Sequence, residues 1–167
     1  MAASSPVPES AKQEYSVSSS GEHRHPDHES LIWDRDGQDW PNRDSSQFVT
    51  AGGIRWHVQV MGQGPALLLL HGTGAASHSW RDLAPLLAEK YTVVVPDLPG
   101  HGFTQAPRST QLSMTGMAQL LAKLLNELDL TPNIIVGHSA GAAIGAQMCF
   151  DRRVAAAWLV RQNGSLL

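Results

Sequence analysis

The pentapeptide Gly137-His138-Ser139-Ala140-Gly141 constrains this chain more than any other feature. It stands between an apolar run, Ile134 to Val136, and a stretch of small residues that includes Ala142, Ala143, Gly145 and Ala146. A serine between two such glycines, after a strand and before a helix, predicts a strained turn that lifts its hydroxyl above the edge of a sheet. The glycines are needed because a Cβ would block the neighbouring backbone, which must approach closely. Small residues keep the following helix thin, so it can pack near the strands. The helix start adds free amides and a positive dipole end beside Ser139. The spacing therefore predicts a nucleophile elbow, with Ser139 as nucleophile.

The elements around the elbow predict an α/β fold with a mostly parallel sheet, covered by helices on both faces. Gln47 to Thr50 and Ile54 to Met61 read as strands joined by a Gly52-Gly53 turn. The second alternates, with Ile54, Trp56, Val58 and Val60 on one face and Arg55, His57 and Gln59 on the other. That is the pattern of a half-buried strand, which places His57 at the surface. Ala66 to Leu70 and Val93 to Val95 are apolar throughout, as central parallel strands are. Helices are predicted from about Ser77 to Glu89, with Trp80, Leu83 and Leu87 inward, from about Ser113 to Leu128, and from Ala140 to about Arg152. Ser113 has the chemistry of an N-cap. Met117, Leu120, Leu121, Leu124, Leu125 and Leu128 form the core stripe of the second helix, and Ala157 to Val160 reads as a final strand.

Two further motifs fall at the ends of strands. His71-Gly72-Thr73-Gly74 follows the first central strand, and such a turn can aim backbone amides at the point the elbow presents. The amides of Thr73 and Ala140 are the candidates for an oxyanion hole. His71 reads as a loop-shaping residue, and Gly72 and Gly74 as the turn beside the site. The loop lacks the lysine and hydroxyl residue of a phosphate-binding P-loop. Asp97-Leu98-Pro99-Gly100-His101-Gly102 ends another strand, and its Asp97 and His101 read as lining the site or shaping its loop. His138 adjoins the nucleophile with the wrong geometry for a base.

Composition removes other classes. A net charge of −3 from 12 basic and 15 acidic side chains gives no footprint for nucleic acid. Cys149 is alone, so no disulfide or cysteine metal cluster can form, and it reads as a small buried residue. No apolar run is long enough for a signal peptide or a transmembrane segment, so a cytoplasmic protein is expected. Residues 1–30 lack large apolar side chains and read as a disordered tail. Its His23, His25, Asp27 and His28 read as solvated in preference to a metal tract. No metal or other cofactor is expected. Trp33 and Trp40, in a polar stretch, are read as a lid or docking strip, or as a cap on the core edge.

HGTG, DLPGHG and GHSAG, in this order and at these distances, resemble the α/β-hydrolase superfamily. More narrowly, DGQDWPNRDSSQFV, RWHVQVMGQGPALLLLHGTGAASHSWRDLAPLLA, PDLPGHGFT, LSMTGMAQLLAKLL and GHSAGAA are similar to the magnesium chelatase accessory protein (BchO) family of bacteriochlorophyll biosynthesis. That resemblance runs from about Trp33 to Leu167. It implies a hydrolase-type fold and a role near magnesium insertion into a porphyrin, with magnesium chelatase subunits or a porphyrin as partners. Fold alone supplies no reaction.

The chain departs from the hydrolase pattern at one point. The pattern runs nucleophile, acid, histidine in chain order. No histidine follows Ser139, and the one later carboxylate, Asp151, reads as a surface charge at a helix end. A complete fold of this type usually needs roughly 250 residues. Residues 31–167 are therefore expected to be an incomplete hydrolase domain, the N-terminal part of the fold, without its last strands and helices. The functions that follow are an accessory role in bacteriochlorophyll synthesis, a serine-dependent esterase-type hydrolase, or a non-functional fragment of one.

Overall fold

The computed structural model describes residues 31–162. The expected tail of residues 1–30, with its histidine tract, lies outside them. Six strands form one sheet: β1 (Ser46–Ala51), β2 (Ile54–Met61), β3 (Ala66–Leu70), β4 (Thr92–Pro96), β5 (Ile134–His138) and β6 (Trp158–Gln162). Their spatial order is β1-β2-β4-β3-β5-β6. The β1–β2 and β2–β4 ladders are antiparallel, and β4–β3, β3–β5 and β5–β6 are parallel. This is the mostly parallel α/β sheet that the sequence predicts. All five residues of β3 are buried, as a central strand covered on both faces requires.

One face of the sheet is thickly covered. The helices α3 (Met114–Glu127) and α4 (Ala140–Phe150) pack there over Trp56, Val58, Leu68, Leu70, Val94 and Ile135. Leu120, Leu121, Leu124 and Leu125 of α3 are buried as expected, with Met117 and Leu128 at the margin. Ser113 caps α3, its hydroxyl accepting the Gly116 N–H at 3.1 Å.

The other face is thinly covered. Its core is Leu67, Leu69, Val93 and Val95 under Trp80 and Ala84. The long helix expected from Ser77 to Glu89 is instead a 3-10 turn, Ser77–Trp80, and a short helix, α2 (Leu83–Leu87). Pro85 explains the break: it has no N–H to bond back to the preceding turn, so it is tolerated in the first turn of a helix and not in its interior. The inward set shifts accordingly to Trp80, Ala84 and half-buried Leu87, while Leu83 is 40% exposed. Among the described residues this face is open towards β5 and β6. Trp158 is 69% and Val160 50% exposed, opposite Ile134 and Val136 in register, whereas Leu159 between them turns to the covered face.

The surface position expected for His57 is wrong. His57 is fully buried and Gln59 nearly so. β2 lies inside the sheet, between β1 and β4, and its polar face is roofed by aromatic rings. Trp33, in a first short helix α1 (Trp33–Asp36), packs 4.9 Å from both His57 and Phe103. Trp40 packs 5.0 Å from Phe103, and its indole N–H donates to Ser77 Oγ at 3.1 Å. The tryptophans thus cap the core edge, the second of the two roles open to them. Arg43 stacks its guanidinium 4.2 Å over Trp33. Among the described residues no helix is long and apolar enough to cross a membrane.

Candidate active site

Ser139 stands where β5 turns into α4, with φ 50° and ψ −118°. Positive φ is rare for a residue with a side chain and marks stored strain. The surroundings hold it there. Its N–H donates to the Gln162 carbonyl at 3.1 Å, and its own carbonyl accepts the Ala142 N–H at 3.0 Å. A Cβ on Gly137 would come 2.4 Å from the Ala142 Cα, and one on Gly141 2.4 Å from the Leu70 carbonyl oxygen. Both glycines are therefore required by close packing, as the motif demands. Ser139 itself is exposed.

The Gly-rich loop after β3 reaches the elbow. A Cβ on Gly72 would lie 3.2 Å from the Ser139 Cβ and 2.9 Å from the His138 Nδ1. Thr73 and Ala140, whose amides are the oxyanion candidates, line one cavity of about 200 Å³ together with His101. Gly74 turns with φ 73° at an open position. His138, His71 and Gly72 line a second cavity of about 220 Å³, with Trp80 and Gln162.

His71 is buried and cannot act as a base. Its Nδ1–H donates to the Gly72 carbonyl at 2.8 Å, and its Nε2 accepts the Leu98 N–H at 2.8 Å. Both nitrogens are committed to the loops, and burial holds its pKa below the ordinary histidine value. His101 donates from Nδ1 to the Pro99 carbonyl at 3.2 Å, and its ring lies 5.3 Å from that of His71.

Asp97, read as lining the site or shaping its loop, is fully buried. Its Oδ1 accepts the Ser77 N–H at 2.6 Å, and its Oδ2 accepts the Phe103 N–H at 3.0 Å and the His57 Nδ1–H at 2.8 Å. One carboxylate thus ties the loop after β3 to the loop after β4 and both to β2. Burial alone would raise its pKa, but the His57 hydrogen bond and charge and the two amides outweigh that and hold it below the usual carboxylate range. His57 continues the chain, its Nε2 lying 3.0 Å from Ser46 Oγ. Sequence reasoning missed this Ser46–His57–Asp97 series. No local signal carries it. It appears only once the β2–β4 register pairs Val58 with Pro96 and so sets His57 beside Asp97.

Among the described residues no histidine or carboxylate hydrogen-bonds the Ser139 hydroxyl. Asp151 is engaged elsewhere, accepting from Gln147 at 2.7 Å and Arg153 at 3.1 Å. Cys149 is half-buried, and desolvation raises its thiol pKa, which disfavours the thiolate. No group of three or more metal-ligating side chains lies together among the described residues.

Comparison with known proteins agrees with this geometry. The model of the alpha/beta hydrolase fold matches residues 65–165. The chain is 44% identical over 117 residues, 69% of its length, to the Magnesium-chelatase 30 kDa subunit of Rhodobacter capsulatus, of which it covers 41%. It is 38% identical over 109 residues, 63% of its length, to a fluoroacetate dehalogenase of a Burkholderia species, of which it covers 36%. Among solved structures, an alpha/beta hydrolase fold protein from Burkholderia ambifaria superposes with a TM-score of 0.68 at 29% identity, over 74% of this chain and 46% of that one. The chain spans less than half the length of each of these relatives.

Proposed function

The chain belongs to the alpha/beta hydrolase fold family, and from that premise we propose that it serves as an accessory protein of bacteriochlorophyll biosynthesis, assisting magnesium chelatase. The observation that carries this reading is the 44% identity to a protein named as a magnesium-chelatase subunit. In this reading the hydrolase-type cleft binds a porphyrin-derived ligand or docks a chelatase subunit, and Ser139, Thr73 and Ala140 form its floor. His71, Gly72, Gly74, His101 and His138 shape the walls. The protein works in the cytoplasm, and the domain that starts near residue 31 takes any acid–base pair for Ser139 from outside the described residues.

The test is a magnesium insertion assay. Purified chelatase subunits and protoporphyrin are followed by absorbance with and without this protein. Faster insertion, retained by Ser139→Ala, supports a non-catalytic accessory role. No change in rate and no co-elution with any subunit would remove it.

A second reading is a serine-dependent esterase-type hydrolase. The elbow geometry favours it: a strained, exposed Ser139 at a helix start, with the Gly72 turn packed close against it. A serine hydroxyl without an adjacent base is a weak nucleophile, so the described residues alone are expected to react slowly. Labelling by a fluorophosphonate probe, lost in Ser139→Ala, supports this reading, and an unlabelled, folded protein counts against it.

A further inference from the structure

We infer that the outer edge of β1 is a self-association surface, where two copies of this chain pair their β1 strands antiparallel about a twofold axis at Val49. β2, β4 and β3 separate β1 from β5 and its Ser139 turn, so this surface is independent of the cleft. The β1–β2 register shows which backbone groups face outward. Arg55 and His57 of β2 turn their backbone away from β1: the Arg55 carbonyl accepts the Gln105 N–H at 2.9 Å, and the His57 carbonyl accepts the Asp97 N–H at 3.0 Å. Their partners across the ladder are Thr50 and Phe48. In an antiparallel ladder such opposed residues form the non-hydrogen-bonded pairs, so Thr50 and Phe48 also point their N–H and C=O groups away from β2. Among the described residues β1 is an outer strand, and no hydrogen bond reaches these groups.

Nothing on the strand turns a partner away. Its six residues, Ser46–Ala51, hold no charge, no proline and no bulge, which are the devices that keep sheet edges apart. Pairing Phe48 of one copy with Thr50 of the other satisfies every outward group of both residues in both copies, with Val49 facing Val49 at the axis. Charge selects a second copy over an unrelated extended peptide. Antiparallel pairing carries the start of one β1 to the end of the other, so Asp44 approaches the Gly52-Gly53 turn of the second copy. Lys123 lies over that turn, its Cδ 3.2 Å from where a Gly52 Cβ would stand. Asp44 and Lys123 are exposed, and neither has an ion-pair partner among the described residues. Arg43, next to Asp44, is turned back over the Trp33 ring. The twofold axis repeats the contact, giving two pairs of opposite charge.

A single strand pair is a small interface, below the roughly 1,200 Å² of a standard stable one, so a reversible, weak dimer is expected. Sedimentation velocity on the full chain, over a range of protein concentrations, tests it. The expected result is a monomer–dimer equilibrium that weakens in high salt. Thr50→Pro removes an outward N–H that takes no part in the β1–β2 ladder, and should weaken the dimer by about tenfold or more. Asp44→Lys and Lys123→Glu should each weaken it by about threefold to tenfold, and the double variant should restore it. Circular dichroism checks that every variant is folded, and the charge variants stand as the test if the proline variant is not. Monomer at every concentration, association unchanged in folded Thr50→Pro, or a double variant no tighter than its single parents overturns the inference.

Discussion

Ser139 and Ser46 hold complementary halves of what an activated serine requires. Ser139 has the exposure, the strained backbone and the converging loop, and among the described residues it lacks a base. Ser46 has a histidine at 3.0 Å, and that histidine has an aspartate at 2.8 Å. Yet Ser46 is half-buried, and its hydroxyl also accepts from Gln59 at 3.2 Å. The two sites are linked indirectly, because Asp97 holds the loop after β3, whose Gly72 lies against Ser139. The order Asp–His–Ser therefore means a fastener in one place, and its absence means an unfinished nucleophile in the other. A triad is recognised by the role its geometry permits, and not by which residues touch.

The largest effect that would sharpen this contrast is expected from Asp97→Ala. Removing one partner of a buried pair leaves His57 uncompensated and frees two amides, at a cost of about 3–5 kcal/mol. Urea denaturation should show that loss, and a loss below about 1 kcal/mol would mean that the fastener carries little. Gly141→Ala is next, because its Cβ meets the Leu70 and His71 carbonyl oxygens at 2.4 and 2.5 Å. A cost of about 1–3 kcal/mol is expected, with any fluorophosphonate labelling of Ser139 abolished.

The serines themselves should move in opposite directions. Ser46→Ala removes hydrogen bonds and is expected to destabilise by about 1 kcal/mol, leaving Ser139 labelling unchanged. Ser139→Gly relieves the positive φ and should stabilise by on the order of 1 kcal/mol, after the extra entropy glycine loses on folding. Thermal melts decide both, and matching signs would break the comparison.

The smallest effect lies in pH. The folded state disfavours protonated His71, so stability should decline as pH falls from about 6.5 through its lowered folded pKa. Asp97 adds a second decline, which begins near the ordinary aspartate pKa of about 3.9 and continues to its lower folded value. Above about pH 7 both contributions are complete. His71→Gln should flatten the upper window alone, as read from urea midpoints across pH.

The elbow was legible because its signal is local. Glycine spacing, the apolar strand before it and the small residues after it all lie within a few turns of chain. The parallel strands and the leucine stripe of α3 were legible for the same reason, since each carries its own period. What was not legible depended on strand order. Period-2 alternation put Arg55, His57 and Gln59 on one polar face of β2 and could not tell that Trp33 and Trp40 would roof it. Pro85 was visible in the sequence, and its effect on the helix after β3 was overridden by the leucine spacing around it. Asp97 was placed at the right sheet edge with a loop-shaping role open to it, but its partners, which come from three separate segments, were not legible.

The open half of the sheet makes the molecule its own optical gauge. Of its five tryptophans, Trp56 and Trp80 are enclosed, Trp33 and Trp40 are half-buried, and Trp158 is largely exposed on the uncovered face of β6. Trp158 should therefore emit furthest to the red and be the indole most open to iodide. Whatever comes to rest on that face will extinguish the quenchable component and shift the emission to the blue, and a Trp158→Phe protein will be blind to its arrival.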